Sequence, residues 1–356
     1  MKLKAAIVGL GRMGAEPTSR LNGMLPNGWD PISHAEAIKS IKDLELVALC
    51  DKDDARNKRF SELYSVKSTY TDYKDLINEA KPDILSIATR TDVKAEIINY
   101  ALEHGVKGFY VEKPLSRSVK ECREVLSKIE KASAKLVYGT QRRGMHIFRK
   151  VQELCASQVY GDVKHISFEY GRNQLLWSAP HITDMIVLYA NSIDVEYISA
   201  LCSFNEGSYD SNSLFVDTDP WVENAYIKFT NGVTCNIIPN EGNNLRIQLS
   251  KAIIAINGDG YSIDINTEHK IKGRFHKLEQ QYGEVVKSGT QMLFEDLTNA
   301  VLNSTSIKYV KAEEILCGTK LLSGIVESAL KGGKKVNFKD VRDDLVITGR
   351  FGNLYA

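Results

Sequence analysis

The chain has 356 residues, of which 43% are hydrophobic and 26% charged, and its 46 Lys and Arg residues nearly balance its 45 Asp and Glu residues. This length predicts two domains with sizeable cores, and the charge balance argues against a nucleic-acid partner bound through its phosphates. The six cysteines are scattered, without Cys-x-x-Cys pairs or histidine clusters, so no metal and a reduced compartment are predicted. No apolar run is long enough for a signal peptide or a membrane span, so we expect a cytoplasmic protein without a membrane partner.

Short apolar runs alternate with helix-like segments in the first third of the chain. The predicted strands cover residues 3–8, 45–50, 83–88 and 107–111. The predicted helices cover residues 34–42, 54–64, 73–80, 92–104 and 118–132, and capping boxes begin at Ser33 and Ser118. Such alternation predicts a parallel sheet with right-handed crossovers, that is, a doubly wound Rossmann domain over residues 1–140.

A glycine-rich turn follows the first predicted strand directly. Gly9, Gly11 and Gly14 are spaced as in turns that admit a dinucleotide pyrophosphate. Asp51 ends the second predicted strand, where a carboxylate binds the adenosine ribose and repels the phosphate of NADP, so NAD is predicted and NADP is less favoured. The acidic residue is expected about 20 residues after the glycines, and Asp51 lies further along the chain than that. The additional residues form an insertion, residues 15–32, which is either a rigid surface loop or a lid or partner contact beside the cofactor.

Glu112-Lys113-Pro114 is the most informative segment of the chain, because it follows the apolar run at 107–111. Ligands of open α/β sheets bind along the carboxyl edge of the strands, where this run ends. An ammonium at that edge can orient a hydroxyl group and stabilise developing alkoxide character. Together with the glycine turn, the segment indicates nicotinamide-dependent chemistry on a polyol or sugar.

The pattern changes after about residue 140, where strand-like runs follow one another. The predicted strands cover residues 163–170, 195–204, 222–229, 233–238, 245–256 and 261–265. The predicted helices cover residues 145–157, 289–303 and 311–331, and residues 203–220 are predicted to form an exposed loop. Residues 141–356 are therefore predicted to form an α+β domain with a mainly antiparallel open sheet. An open sheet face favours a homo-oligomer.

These features resemble the glucose-fructose oxidoreductase / inositol dehydrogenase / rhizopine catabolism (Gfo/Idh/MocA) family over nearly the whole chain. The matching pieces are Gly9-x-Gly11-x-x-Gly14, Asp51, Ala88-Thr89, Glu112-Lys113-Pro114, Gln141-Arg142-Arg143, Gly161 and His181-x-x-Asp184. The resemblance implies an NAD-dependent sugar or polyol dehydrogenase, a homodimer or homotetramer, and a cis bond between Lys113 and Pro114. It also implies that the cofactor is bordered, besides the glycines and Asp51, by Arg12, Met13, Thr89, Glu112 and Lys113.

The resemblance further implies that Lys113 and a histidine act on the substrate. In the family, the histidine takes the hydroxyl proton while hydride leaves for the nicotinamide, and His181 fits that place. Ser178 or Ala179 is predicted to cap a helix with Pro180 near its start. His181 would then lie in the first turn, where the helix dipole favours a neutral imidazole.

Two positions depart from the family pattern. Trp177 stands where polyol dehydrogenases usually carry an aspartate, four residues before the histidine, and Lys94 stands where a histidine usually ends a Thr-Pro-Asn-x-x-His segment. Asp184, on the same helical face as His181, is predicted either to take part of the missing aspartate's role or to be a structural carboxylate. Both departures argue against an ordinary polyol substrate.

The substrate is predicted to be a sugar derivative with an anionic group, such as a uronic acid, a sugar phosphate or a nucleotide-linked sugar. Arginine forks pair with carboxylate and phosphate, and an indole can stack on a sugar or base. The residues predicted to bind it are Arg142, Arg143, Arg172, Trp177 and Lys94. The alternative for these charges is a solvated or salt-bridged position within the fold.

Two other functions remain open at this stage. One is a non-catalytic, regulatory NAD-binding protein on the same fold, which Trp177 favours. The other is an enzyme that oxidises and re-reduces its substrate within one cycle, giving epimerisation or elimination without net release of NADH.

Overall fold

The structure, a computed structural model, describes residues 2–349 except 22, 27, 210–213, 269–273 and 283–286. In this part of the chain, six parallel strands form the first sheet, in the order β3-β2-β1-β4-β5-β6. The strands are β1 Leu3–Val8, β2 Leu44–Cys50, β3 Ser68–Tyr70, β4 Ile84–Ile87, β5 Gly108–Val111 and β6 Lys135–Tyr138. The order reverses direction at β1, which confirms the predicted doubly wound sheet. Neither β3 nor β6 was predicted; they have three and four residues, and each begins with a polar residue.

Helices cover both faces of the first sheet. They are α1 His34–Ser40, α2 Asp54–Tyr64, α3 Tyr73–Ala80, α4 Lys94–Glu103 and α5 Val119–Lys131, with a 3-10 turn at Thr91–Val93 before α4. Apolar residues of α1 and α2 pack in one core cluster, and those of α3, α4 and α5 pack in another on the opposite face. The predicted helix caps are present, since the side chains of Ser33 and Ser118 accept the amides of Glu36 and Glu121.

The rest of the chain forms a second, larger sheet with its own helices. The helices are α6 His146–Ala156, α7 Leu175–Ala190, α8 Gly289–Asn303 and α9 Ala312–Leu330, with 3-10 turns at Gln141–Gly144 and Phe338–Asp340. The strands are β7 Val163–Glu169, β8 Asn173–Gln174, β9 Val195–Ser203, β10 Phe215–Val216, β11 Trp221–Phe229, β12 Thr234–Ile238, β13 Asn244–Leu249, β14 Ala252–Asn257, β15 Ser262–Glu268, β16 Phe275–Tyr282, β17 Val336–Asn337 and β18 Val346–Ile347.

The second sheet is mainly antiparallel, as predicted. Its order is β16-β15-β14-β13-β7-β12-β11-β9-β17, with β8 paired to β11, and among these pairings β12 with β7 is parallel. Helices α6, α7 and α9 pack on one face, and on the other most of the alternate residues of β7, β11 and β12 are half-buried. The single strand predicted at 245–256 is two strands, β13 and β14, which turn at Ser250 and Lys251. The loop predicted at 203–220 contains β10, which pairs with β18, and residues 210–213 of it lie outside the described residues.

Helix α8 connects the two parts of the molecule. Although it lies far along the chain, its Leu293, Phe294 and Leu297 complete the core on the α1 face of the first sheet. Over the described ranges, no helix combines the length and apolarity that crossing a membrane would require.

Candidate cofactor site and active site

The turn after β1 requires glycine at two positions and leaves the third open. Gly9 has a φ of +92°, and a Cβ on it would lie 2.8 Å from the carbonyl of Ala88, just after β4. A Cβ on Gly14 would lie 1.9 Å from the carbonyl oxygen of Gly9. Among the described residues, the Cβ position of Gly11 has no atom within 4 Å apart from those of its own chain neighbours. The backbone at Gly11 is therefore accessible, and the turn fits the close approach of a dinucleotide pyrophosphate.

The insertion at 15–32 interrupts the helix that follows the glycine turn. The amide of Ala15 donates to the carbonyl of Gly11 at 3.0 Å, as at the start of a helix. The carbonyl of Met13 then accepts the amide of His34 at 2.7 Å. Helix α1 therefore continues the turn across the inserted residues, which explains why Asp51, directly after β2, comes so late in the sequence.

Asp51 lies beside the glycine turn. Its Oδ2 accepts the amide of Leu10 at 2.8 Å, and its Oδ1 accepts the amide of Asp53 at 3.0 Å. The Nη1 atom of Arg56 is 3.9 Å from the same Oδ2. The carboxylate is thus fixed at the edge predicted for the adenosine ribose. The cation of Arg56 beside it has the opposite effect, because it favours the phosphate of NADP.

Three further residues predicted to border the cofactor lie near this turn or at the end of β4. The guanidinium of Arg12 is 5.9 Å from the ring centroid of Trp177. Met13 is partly buried against the core of the second sheet. The hydroxyl of Thr89 donates to the carbonyl of Arg90 at 3.1 Å. A cofactor contact for each of them remains a prediction.

Glu112 points its carboxylate into the protein. The residue is 5% exposed, and its Oε1 lies 3.1 Å from Nε2 of the fully buried His34. The other ring nitrogen of His34 lies 2.6 Å from Oγ of Ser86. A Cβ on Gly139 would come within 2.7 Å of the carboxylate. The prediction that Glu112 binds the cofactor is therefore wrong for its side chain, which is enclosed by protein.

Lys113 follows Glu112 at the carboxyl edge of the first sheet and reaches helix α7. Its Nζ donates to the carbonyl of Trp177 at 2.5 Å and lies 4.6 Å from the centroid of the Trp177 ring. The bond from Lys113 to Pro114 is cis, as the resemblance implies. Lys113 therefore connects the carboxyl edge of the first sheet to the helix that carries His181.

Helix α7 starts earlier than predicted, and this changes the position of His181. The cap is Gln174, and Asp219 accepts the amide of Leu176 at 2.6 Å. Pro180 therefore lies inside the helix, and the prediction that places it near the start is wrong. The sequence misleads here because the capping carboxylate of Asp219 comes from a distant part of the chain.

His181 is held as a neutral imidazole by its surroundings rather than by the helix end. Burial, followed by the positive charges of Arg142 and Lys113, lowers its pKa well below the ordinary value. Its Nδ1 is buried and has no hydrogen-bond partner among the described residues. Such an imidazole can accept a proton at neutral pH.

A cavity lies beside His181. The residues that line it include Arg142, Tyr170, His181, Asn243, Asn244 and Asp259. Apolar side chains, among them those of Phe148, Phe168 and Ile182, form the rest of its wall.

Arg142 is fixed in this cavity by three neighbours. Its Nε and Nη2 donate to the two carboxylate oxygens of Asp259 at 2.7 and 2.5 Å, and Nη2 also donates to the hydroxyl of Tyr170 at 2.6 Å. Its guanidinium lies 5.0 Å from the ring centroid of Trp29 in the insertion. The buried Nη1 has no partner among the described residues. An anionic oxygen would satisfy it.

Arg143 and Asp184 form a buried ion pair instead of meeting a substrate. The Nε of Arg143 donates to both carboxylate oxygens of Asp184, at 2.8 and 2.9 Å. Its Nη1 donates to Glu314 at 2.7 Å and to the carbonyl of Tyr309. Of the two predictions for Asp184, the structure agrees with the structural carboxylate. The prediction that Arg143 binds substrate is wrong, because its side chain is 2% exposed and paired.

Arg172 and Lys94 are also predicted to bind the substrate, and in the structure both have other partners. Arg172 is half exposed, pairs with Glu223 at 2.8 Å and lies 5.2 Å from the ring centroid of Trp221. Lys94 is 1% exposed, and its Nζ donates to the backbone carbonyls of Glu112 and Pro114. Substrate binding by Lys94 is therefore excluded, and that by Arg172 remains a prediction.

The sequence analysis missed several residues that shape the site. They are Trp29, His34, Tyr170, Asn243, Asn244 and Asp259. Asp259 carried a local signal, since Gly258-Asp259-Gly260 separates two apolar runs as turn residues do. His34 was visible only as part of a capping box, and its contact with Glu112 depends on the tertiary fold.

Residues 3–140 match the sequence model of the GFO_IDH_MocA family, described as "Oxidoreductase family, NAD-binding Rossmann fold". The matched range covers the first sheet, the glycine turn, Asp51 and Lys113. It ends where the chain enters the second sheet.

Curated relatives match a similar part of the chain. The trans-1,2-dihydrobenzene-1,2-diol dehydrogenase of Xenopus laevis is 24% identical over 129 residues, which are 36% of this chain and 39% of that protein. The myo-inositol 2-dehydrogenase of Thermotoga maritima is 26% identical over 159 residues, 45% of this chain and 42% of that protein. The chain thus spans about two fifths of the length of these relatives.

Solved structures resemble the whole chain. An oxidoreductase from Agrobacterium radiobacter, in complex with NAD+, L-tartaric acid and magnesium, aligns with a TM-score of 0.73 and 17% identity. The alignment covers 95% of this chain and 99% of the other. At this identity the likeness establishes the shared two-sheet fold.

Proposed function

We propose, from the premise that the chain belongs through its residues 3–140 to the Gfo/Idh/MocA oxidoreductase family, that it is an NAD-dependent oxidoreductase. It transfers a hydride between the nicotinamide and a hydroxyl or keto carbon of a sugar derivative that carries an anionic group. The observation that carries the proposal is the contact of Lys113 with α7, one turn before His181, at the sheet edge beside the glycine turn. This contact brings the ammonium of Lys113 to the helix that carries His181, and its charge lowers the pKa of that histidine.

The chemistry divides between these two side chains and the cofactor. When bound, NAD accepts a hydride at its nicotinamide ring or returns it in the reverse reaction. The ammonium of Lys113 donates a hydrogen bond to the reacting oxygen and stabilises its developing negative charge. His181 accepts the hydroxyl proton during oxidation, for which its lowered pKa keeps it unprotonated.

The anionic group of the substrate is placed at Arg142. Two of its three guanidinium nitrogens are held by Asp259 and Tyr170, so the side chain is rigid before a ligand arrives. The remaining Nη1 and the Nδ1 of His181 are both buried without partners among the described residues, and both residues line one cavity. A carboxylate or phosphate oxygen at Nη1 supports the choice of a uronic acid, a sugar phosphate or a nucleotide-linked sugar.

A second candidate function is a non-catalytic NAD-binding protein. It is favoured by Trp177, which stands in place of the carboxylate that would orient the histidine, and by the unpartnered Nδ1 of His181. The two candidates differ in one respect that can be measured, because only an enzyme changes the absorbance of its cofactor at 340 nm when a substrate is added.

The test starts from the protein with NAD. A thermal-shift screen against uronic acids, sugar phosphates and nucleotide sugars selects ligands, and each is then assayed for NADH formation. We expect Lys113→Ala to abolish turnover and to leave NAD affinity nearly unchanged. Lys107→Ala is the matched control, since Lys107 precedes β5 and its exposed side chain pairs with Asp83.

Other results would contradict the proposal in different ways. Binding of a sugar without any change in NAD absorbance or in the sugar would favour the regulatory candidate. A changed sugar without net NADH would indicate transient use of NAD. Full turnover by Lys113→Ala would overturn the assigned role of Lys113.

We also propose that the half-buried face of the second sheet joins copies of the chain into a homodimer or homotetramer. Its alternate strand residues are half-buried and no helix of the described chain covers them. Light scattering after size-exclusion chromatography should give a mass of two or four chains, and a single-chain mass would refute this assignment.

A further inference from the structure

We propose that Lys94 is a positioning residue that fixes the backbone around Lys113 and so aims the Lys113 ammonium. The assignment rests on the proposed function in one respect, namely that Lys113 is the group that meets the substrate. The sequence placed Lys94 among the substrate-binding residues, and the structure instead places its amine beneath the turn that carries Lys113.

The amine of Lys94 bridges the backbone on both sides of Lys113. Lys94 is the first residue of α4, and its Nζ donates to the carbonyl of Glu112 and, at 2.7 Å, to the carbonyl of Pro114. The first carbonyl precedes Lys113 and the second follows it by one residue. Since one nitrogen holds both, the turn cannot open without breaking a buried hydrogen bond.

The environment of Lys94 suits a positioning role, because the residue is shielded from solvent. The residue is 1% exposed, and a buried amine is costly unless hydrogen bonds satisfy it. Burial, together with the charge of Lys113 and against that of Glu112, lowers the pKa of Lys94 to about 7. Near neutral pH a neutral amine is therefore accessible, and its two N–H groups match the two carbonyls.

The side chain of Glu112 fixes the same turn from a second direction. Its carboxylate contacts Nε2 of His34, whose Nδ1 contacts Ser86 in β4. His34 packs against Tyr110 of β5 at 4.4 Å between ring centroids. The residue before Lys113 is thus held through both its backbone and its side chain, and Lys94 supplies the connection that extends past Lys113 to Pro114.

The test measures the Lys113 amine itself and needs no substrate. The whole chain is labelled with a trace of acetic anhydride across a range of pH, and peptide mass spectrometry gives a rate constant and an apparent pKa for each lysine. Lys94→Met removes both hydrogen bonds at similar side-chain length. We expect the pH-independent rate constant of Lys113 to rise about threefold or more, as for coupled neighbours, while that of Lys107 stays constant.

Two controls separate positioning from general loss of structure. Lys39→Met removes another bond from a lysine amine to a backbone carbonyl of the same domain, that of Tyr64 at 2.8 Å, and should leave Lys113 labelling unchanged. Lys94→Gln keeps a polar head but is too short to reach both carbonyls, and it replaces the methionine variant if that variant does not fold. Its effect on Lys113 should have the same direction and a smaller size.

The proposal is overturned if a folded Lys94 variant labels at Lys113 as the unmodified protein does. It is equally overturned if Lys107 and Lys113 change together, because that pattern indicates general loosening. Both readouts are independent of turnover. A failure to find NADH formation would therefore refute the proposed function and leave the result for Lys94 standing.

Discussion

Replacing Asp184 by asparagine should destabilise the protein by about 3 kcal/mol, because it breaks a buried ion pair. The side chains of Arg143 and Asp184 are 2% and 4% exposed, and both carboxylate oxygens accept from the guanidinium. Removing one partner of such a pair typically costs about 3–5 kcal/mol. The lower value is expected here, because Glu314 at 2.7 Å and the carbonyl of Tyr309 still hold the guanidinium.

A double replacement tests whether the loss of stability comes from the unpaired charge that a single replacement leaves. Burial raises the pKa of Asp184 and the charge of Arg143 opposes the shift, so the ionised carboxylate depends on its buried partner. Arg143→Met combined with Asp184→Leu removes both charges and keeps the volume. This double variant should therefore be more stable than Asp184→Asn alone.

Urea unfolding followed by tryptophan fluorescence measures the stability of both variants. The dependence of the unfolding free energy on urea concentration must be equal before the midpoints are compared. The structural assignment of Asp184 is refuted if Asp184→Asn loses less than about 1 kcal/mol, below the range for a broken buried pair. A stable variant that binds NAD and has lost turnover would instead return Asp184 to the role of a helper of His181.

Four further outcomes follow from the two candidate sites. Because His181 is active only when neutral and its pKa is lowered, kcat/KM for a uronic acid, whose carboxylate stays ionised, should stay constant from pH 8 down to about pH 6.5, the ordinary histidine pKa. Arg142→Met removes a nearby cation and should move the acid limb of that profile to higher pH; an unmoved limb would exclude His181 as the base. Asp51→Ser should raise the affinity for NADP relative to NAD about tenfold, measured by cofactor fluorescence titration, because the repelling carboxylate is gone. Trp29→Ala should raise KM for an acidic substrate about tenfold with kcat and NAD affinity nearly unchanged, because Arg142 loses its aromatic support; an equal fall in kcat would contradict this.

The first sheet was largely predictable because its central strands are continuous apolar runs. β1, β2 and β5 are each followed directly by a glycine or an acidic residue, and the apolar runs located all four strands, β4 included, within a residue or two. The continuation of the glycine turn into α1 across the insertion was not predictable. Its hydrogen bond joins Met13 to His34 across the insertion, and no local pattern records such a bond.

The charged residues of the candidate site were less predictable than its position. Sequence places Lys94, Arg143 and Arg172 near the cleft, yet each long side chain finds its partner in a different direction. One lies under the backbone of Lys113, one lies inside a buried pair and one meets Glu223 at the surface. The direction of a flexible side chain is decided by tertiary neighbours, which a single sequence does not reveal.

The insertion at 15–32 contacts two residues that line the cavity beside His181. Its Trp29 is 9% exposed, lies against the guanidinium of Arg142 and donates to the carbonyl of Asp259 at 3.2 Å. On the other side, the carbonyl of Pro31 accepts the hydroxyl of the serine that caps α8, at 2.6 Å. A lid motion would break these contacts, each buried hydrogen bond contributing about 1 kcal/mol, and would expose the indole to water. The geometry therefore favours a fixed buttress over a lid. The guanidinium of Arg142, held by Asp259 and Tyr170, therefore has one face packed on a residue of the insertion.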